Sequence, residues 1–236
     1  MGRRFDITFV YDFIPKLLGF LQITLFIVAC SMLLGMVIGT AVALPRLFRI
    51  PVLQRVSRIY VSFFRGTPIL IQLFLIYFGL PELLKGIHLD VTRVPALAFV
   101  ILTYGLNSGA FISEAIRAAV SAVDRGQVEA AYAVGMSGFH AFRRIVLPQA
   151  AAVSLPAFSN LVIGNLKDTS LSFTLGVMEM TGKSQTLGLA TQHFIEVYLS
   201  LSLIYLAISL ALERLFALAE RRMRLHEPDV GVLRNQ

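Results

Sequence analysis

Tryptophan is absent from this 236-residue chain, cysteine occurs once, and charged side chains make up only 15% of it. Each scarcity excludes something. With Cys30 alone, no disulfide can form within the chain and no thiolate pair can hold a metal. Inside an apolar run Cys30 reads as a small packing residue. Without tryptophan, an aromatic belt at a membrane surface has to be Tyr and Phe. The four histidines, His88, His140, His193 and His226, are scattered, with neither an HExxH pair nor a Gly-x-Ser-x-Gly elbow near them. No catalytic residue and no metal site is therefore expected. Soluble proteins carry about 25% charged residues. A chain with 15% charged and 56% apolar residues, and a mean hydropathy of +0.75, turns most of its surface to lipid or to other apolar helices.

What is present is a series of long apolar runs. A hydrocarbon core of about 30 Å needs about 20 apolar residues in helix. Residues 17–44, 59–80, 94–122 and 194–218 meet that length. A fifth run begins at 150, holds Pro156, stays apolar to 166 and extends to about 175. The first run is too long for the core of a signal peptide and no small-residue cleavage site follows it, so a retained helix is expected. The net charge of +7 points to topology rather than to nucleic acid. If five spans alternate, one side holds six basic residues: Arg3, Arg4, Lys16, Lys85, Arg93 and Lys183. The other holds thirteen, from Arg46, Arg49, Arg55 and Arg58 through Arg117, Arg125, Arg143 and Arg144 to the group ending at Arg234. The positive-inside rule puts the second set in the cytoplasm, with the N-terminus outside and the C-terminus inside. No internal repeat and no second soluble domain is found, so residues 1–236 read as one transmembrane domain.

The segment 124–148 is the longest cytoplasmic stretch. Residues 127–134 read as helical, Gly135 and Gly138 as a break, 142–147 as a second helical piece, and Pro148 as the entry to the fourth span. The phosphate-loop look of GVMEMTGKS fails on spacing, because five residues rather than four separate Gly176 from Gly182. Any ATP and Mg would therefore sit on another chain.

Within 124–148 lie Glu129-Ala130-Ala131, then Gly135 three residues on, then Ile145-x-Leu147-Pro148 after nine more. This pattern resembles the EAA signature of ABC importer permeases. FFRGTPILIQLFLIYFGLP, NSGAFISEAIRAAVSAVDRGQVEAAYAVGM and KDTSL extend the resemblance, over nearly the whole chain, to the polar amino-acid uptake permeases. Gly109 departs mildly, standing where relatives often carry Ala or Thr. The resemblance implies an all-α type I importer permease of five spans in a bacterial inner membrane, with Glu129 to Pro148 as the cytoplasmic coupling helix. It also implies a second permease subunit, identical or homologous, two cytoplasmic ATPases and an extracytoplasmic binding protein. The wording looks closest to L-cystine-type members, with arginine, histidine and glutamine importers as alternatives.

Two sets of buried charge remain. Arg65 and Glu114 fall at similar depth on antiparallel spans two and three, and are expected to pair and fix helix packing. Lys167 and Asp168 interrupt span four. If that span starts near Pro156, Lys167 lies about 16 Å deep, near the midplane. A zwitterionic amino acid would find a complement in this pair, with Asn160, Asn165, Thr169 and Ser170 around it. Adjacent helical residues point about 100° apart, so both reach one cavity only if the helix opens. The competing expectations are self-neutralisation or anchoring at the interface. For the whole chain, the competing classes are an ion-coupled carrier, which would show inverted repeats, and a scaffold, which leaves these charges without a role.

Overall fold

The computed structural model describes residues 5–224. Arg3, Arg4, His226 and Arg234, which entered the charge partition or the histidine inventory, lie outside the described residues. The helices are α1 (Ile7–Leu18), α2 (Leu21–Leu47), α3 (Pro51–Gly66), α4 (Ile69–Lys85), α5 (Ala96–Ala122), α6 (Arg125–Ala133), α7 (Leu147–Asp168), α8 (Met180–Thr191) and α9 (Phe194–Arg224). No strand occurs among the described residues. Four stretches are long and apolar enough to cross a membrane, and the α3–α4 pair makes a fifth if counted as one span.

The centre is the pair α2 and α5. Each has 27 residues, which at 1.5 Å per residue is about 40 Å. In lipid there is no hydrophobic drive to bring apolar helices together, so close packing has to supply it. Here Gly35 and Gly39 of α2 meet Gly105 and Gly109 of α5, glycines four residues apart on both helices. A Cβ added at Gly39 would lie 2.7 Å from Ile112 Cγ2, and one at Gly105 would lie 2.5 Å from Leu34 Cδ2. Gly109 also faces Tyr60 Oη, at 3.1 Å from such a Cβ. The departure from Ala or Thr at this position thus coincides with a place where α2 and α3 both press on α5. Helix α7 adds a layer, with Leu166 packed against Val28, Met32 and Ile112.

The second span differs from expectation. A single helix over 59–80 is replaced by α3 and α4, bent by 113°. Thr67 is extended (φ −116°, ψ 143°) because Pro68 forces the preceding residue out of the helical region. The break leaves carbonyls that lipid cannot satisfy. Gln72, buried, donates through Nε2 to Phe64 O and Thr67 O, both at 2.9 Å. Asn107 Nδ2 donates to Gln72 Oε1 at 2.9 Å and braces the bend from α5. A π turn at Leu75–Gly79 follows within α4.

Two further elements were not foreseen. The run placed at 17–44 divides at Gly19, and α1 packs separately against α9. Asp6 N donates to Glu196 Oε1 at 2.9 Å, Ser200 Oγ to Val10 O at 3.0 Å, and Phe9 stacks on His193 at 3.9 Å. The segment after span four folds as α8, with Glu179 as its N-cap accepting from Gly182 N.

Gly39→Ala is expected to cost about 1–3 kcal/mol through overpacking against Ile112 and the Gly109 carbonyl. Gly164→Ala, where an added Cβ meets nothing within 4 Å, should be neutral or stabilising. Thermal unfolding of the two variants in detergent checks this, and equal melting points would contradict the glycine contact.

Candidate functional site

The α-helical hydrogen bonding of α7 runs to Asp168, and the chain then tightens into a 3₁₀ helix over Thr169–Leu175 that stops at Gly176 (φ 79°). The change of helix type falls on the polar cluster. A shift to i→i+3 bonding turns successive side chains differently. The Asp168 carbonyl accepts from Tyr104 Oη at 2.6 Å, which pins the transition to α5.

The six residues grouped by sequence divide between two environments. Asn165 is buried and donates through Nδ2 to Ser108 Oγ at 3.1 Å. Thr169 is fully buried, its hydroxyl bonded to Leu166 O at 2.7 Å. Both face into the helix packing. Lys167 and Asn160 are exposed, and Ser170 and Asp168 are half-buried. Lys167 and Asp168 form no ion pair with each other or with any other described residue. Self-neutralisation is therefore not seen. Val153, Ala157, Asn160, Gly164 and Lys167, spaced by three and four residues, make one open stripe along α7. Asn160 also helps line a cleft of about 150 Å³ with Glu213 and Glu220 of α9.

Glu114 gathers more cations than the single partner expected. Arg46 Nη1 donates to its Oε1, and Arg117 Nη2 to its Oε2 at 2.9 Å. Arg65 Nη1 stands 4.0 Å from Oε2, with its guanidinium over the Phe111 ring. Arg46 is therefore a closer partner than Arg65. Arg46 lies beyond the apolar run 17–44, but α2 continues to Leu47 and carries it to the same level as Glu114. The sequence signal that would have found it is the matched glycine spacing. Seven residues past Gly39 is Arg46, and five past Gly109 is Glu114.

The segment 125–148 has the helix–turn–helix form expected, with shifted edges. Helix α6 starts at Arg125 behind an Asp124 cap and ends at Ala133. Gly135 has φ 83°. Its N–H bonds to Tyr132 O at 3.0 Å and the Met136 N–H to Ala131 O at 3.0 Å. This pair of bonds closes the helix in a Schellman turn, for which glycine is the natural residue. The second piece begins at Gly138 rather than 142 and passes through a π turn at Phe142–Val146 into α7. Glu129 and Ala130 are exposed, Ala131 is buried, and Leu147 and Pro148 are exposed. Around them Tyr132, Val134 and Phe139 also lie exposed, an apolar rim that the described residues leave uncovered.

Sequence reasoning missed Glu179 entirely. Its buried carboxylate accepts from Gly182 N at 2.9 Å and from Thr24 Oγ1 and Tyr205 Oη, both at 3.4 Å. Burial pushes this carboxyl above its ordinary range, while the hydrogen bonds from Gly182 and Tyr205 pull it down. It ties α8 to α2 and α9.

Residues 31–225 match the family model for the binding-protein-dependent transport system inner membrane component. The chain is 44% identical over 227 residues to the L-cystine transport system permease protein TcyL of Bacillus subtilis (strain 168), covering 96% of this chain and 95% of that one. It is 33% identical to the glutamine transport system permease protein GlnP of Escherichia coli (strain K12), over 94% of this chain and 99% of that one. Among solved structures, an amino acid ABC transporter with histidines superposes with a TM-score of 0.83 at 31% identity, covering 93% of this chain and all of the other.

The Glu114 cluster ranks its members. Arg46, with 13% of its side chain exposed, sits closer and drier than Arg65 at 47%. Arg46→Gln should cost about 2 kcal/mol by removing one charged hydrogen bond from a half-buried carboxylate. Arg65→Gln should cost about 1 kcal/mol or less. Thermal stability of the two variants gives the order, and a larger loss at Arg65 would contradict it.

Proposed function

The chain belongs to the family of binding-protein-dependent transport system inner membrane components, as an amino-acid ABC transporter permease, and from that premise we propose that it passes L-cystine inward in an ATP-driven importer. The observation that carries the substrate is the match to the cystine permease across 96% of this chain. In this reading the N-terminus is outside and the C-terminus cytoplasmic, because the basic loops gather at the ends of α2, α5 and α9.

Two copies of the chain, or this chain and a homologue, would face each other across the open stripe of α7. Lys167 and Asp168 have no ion-pair partner among the described residues, and intramembrane ionisable groups face a bundle interior or a wet cavity. Lys167 complements a substrate carboxylate and Asp168 an ammonium, and cystine carries two of each. Asn160 and Ser170 would supply further polar contacts from the same helix. Asn165 and Thr169 would act differently from first expectation. Buried against Ser108 and within the helix turn, they would position the pair rather than touch substrate.

Energy would enter at 125–148. Glu129 and Ala130 on the exposed side of α6, the Gly135 turn, and Leu147 and Pro148 at the start of α7 form the proposed grip for two cytoplasmic ATPases. Movement of α6 would pass through the π turn at Phe142–Val146 directly into α7, the helix that carries Lys167. ATP and Mg would be held by the ATPases, and an extracytoplasmic binding protein would deliver the amino acid. Glutamine is the second substrate reading, favoured by the 33% match to a glutamine permease.

Lys167→Met and Asp168→Asn should each lower L-cystine uptake about tenfold, the worth of one charge-assisted hydrogen bond, while basal ATP hydrolysis of the complex persists. Unchanged uptake in both removes these residues from the path. Gly135→Val strains the left-handed turn by about 1–2 kcal/mol. It should lower substrate-stimulated hydrolysis while leaving folding of the spans intact. Uptake should stop without ATP hydrolysis and survive collapse of ion gradients, whereas gradient dependence would favour an ion-coupled carrier. Competition by glutamine stronger than by L-cystine would reassign the substrate.

A further inference from the structure

Helix α3 presents three separate faces. Ser57, Val61 and Phe64 are buried against the rest of the chain. A second edge carries Arg55, Arg58, Ser62 and Arg65, all exposed. The third carries Val52, Val56, Ile59 and Phe63, with Val52 at 73% and Ile59 at 71% exposure. Each set repeats every three or four residues, so each forms a continuous stripe on a helix of 3.6 residues per turn.

This pattern does not belong to a spanning helix. Sixteen residues make about 24 Å, short of a hydrocarbon core of about 30 Å. The axis also turns by 113° before entering α4. Its depth follows from α5. Ala96 to Glu114 covers about 27 Å at 1.5 Å per residue, close to one core thickness. Arg65, at the end of α3, reaches the Glu114 cluster, which therefore marks a polar boundary of the bilayer. A basic helix with one apolar edge at that boundary has the form of an interfacial helix.

Charge selects the occupant. No acidic residue occurs between Asp12 and Glu82. Arg55 and Arg58 have no ion-pair partner among the described residues. We propose that α3 lies along the bilayer surface and binds anionic phospholipid. The Arg55 and Arg58 edge takes the lipid phosphates, and the Val52, Ile59 and Phe63 edge takes the acyl chains. The lipid becomes part of the support for the bend at Thr67–Pro68, on which the seating of α4 depends. The inference rests on the membrane-spanning reading of the chain and not on any substrate.

The test uses the full-length chain purified with its companion subunits. Native mass spectrometry after equal supply of phosphatidylglycerol and phosphatidylcholine should show phosphatidylglycerol retained in preference. Arg55→Gln/Arg58→Gln together should reduce that retention on the order of tenfold, since each basic group near an anionic surface contributes a several-fold factor. Equal retention of both lipids, or no change in the double variant, overturns the proposal. A second readout avoids dependence on that variant. Nitroxides placed by Ile59→Cys and by Ser62→Cys, in a Cys30→Ser background, should differ in depth in phosphatidylglycerol nanodiscs. The Ile59 label should be reached by oxygen and the Ser62 label by an aqueous nickel reagent. Two labels equally open to water, or an Ile59 label shielded from both reagents by a second protein surface, also overturn it. Neither readout measures transport, so their failure leaves the import role standing and its failure leaves them interpretable.

Discussion

Inside a bilayer two helix backbones can reach van der Waals contact only where side chains are missing, and α2 and α5 meet in this way along Gly35, Gly39, Gly105 and Gly109. The rest of the structure is registered against that contact. With α2 and α5 locked in parallel, Arg46 at the end of one and Glu114 near the end of the other arrive together. Tyr60 of α3 settles over Gly109 and donates to Leu106 O. Asn107, on the next residue, reaches across to Gln72 and holds the α3–α4 bend. Ser108, between the glycines, takes the Asn165 amide and seats α7. A short run of α5 thus sets the position of every other spanning helix it touches.

The polar pair on α7 depends on this registration. Lys167 and Asp168 stand where the α-helix gives way to a 3₁₀ turn, and the Tyr104 hydroxyl holds the Asp168 carbonyl at that point. The helix is fixed on its buried side and open on the other. That division explains why the cluster separates into positioning residues, Asn165 and Thr169, and residues facing outward, Lys167 and Asn160. The same helical stretch runs from Gly138, just after the Gly135 turn, through to Lys167.

Hydropathy made the long spans legible, because 27-residue helices as apolar on average as α2 and α5 have little choice but to cross lipid. The Gly135 turn was equally legible, since glycines at 135 and 138 follow a helical run, and Gly135 indeed takes a φ of 83°. The break at Gly66-Thr67-Pro68 was hidden. Apolar residues flank it on both sides, and the residues that make it tolerable, Gln72 and Asn107, lie elsewhere in the sequence and resemble ordinary polar interruptions. Arg65 was paired with Glu114 by depth alone, which ignores lateral distance; Arg46 became the nearer partner only once the glycine contact set α2 against α5. Glu179 was missed because a carboxylate in a loop gives no sign that Thr24 and Tyr205 will close over it. The curvature and lateral packing that long-range polar contacts impose are what hydropathy does not encode.

The central claim is that the open face of α7 lines a water-filled path within the membrane. Lys167→Cys in a Cys30→Ser background, assembled with its partner subunits in proteoliposomes, tests it by reaction with a charged, membrane-impermeant thiol reagent. The account predicts modification at position 167, slowed by L-cystine delivered to the complex. Resistance to the charged reagent together with ready reaction with a lipid-soluble maleimide would place that face against hydrocarbon and contradict it.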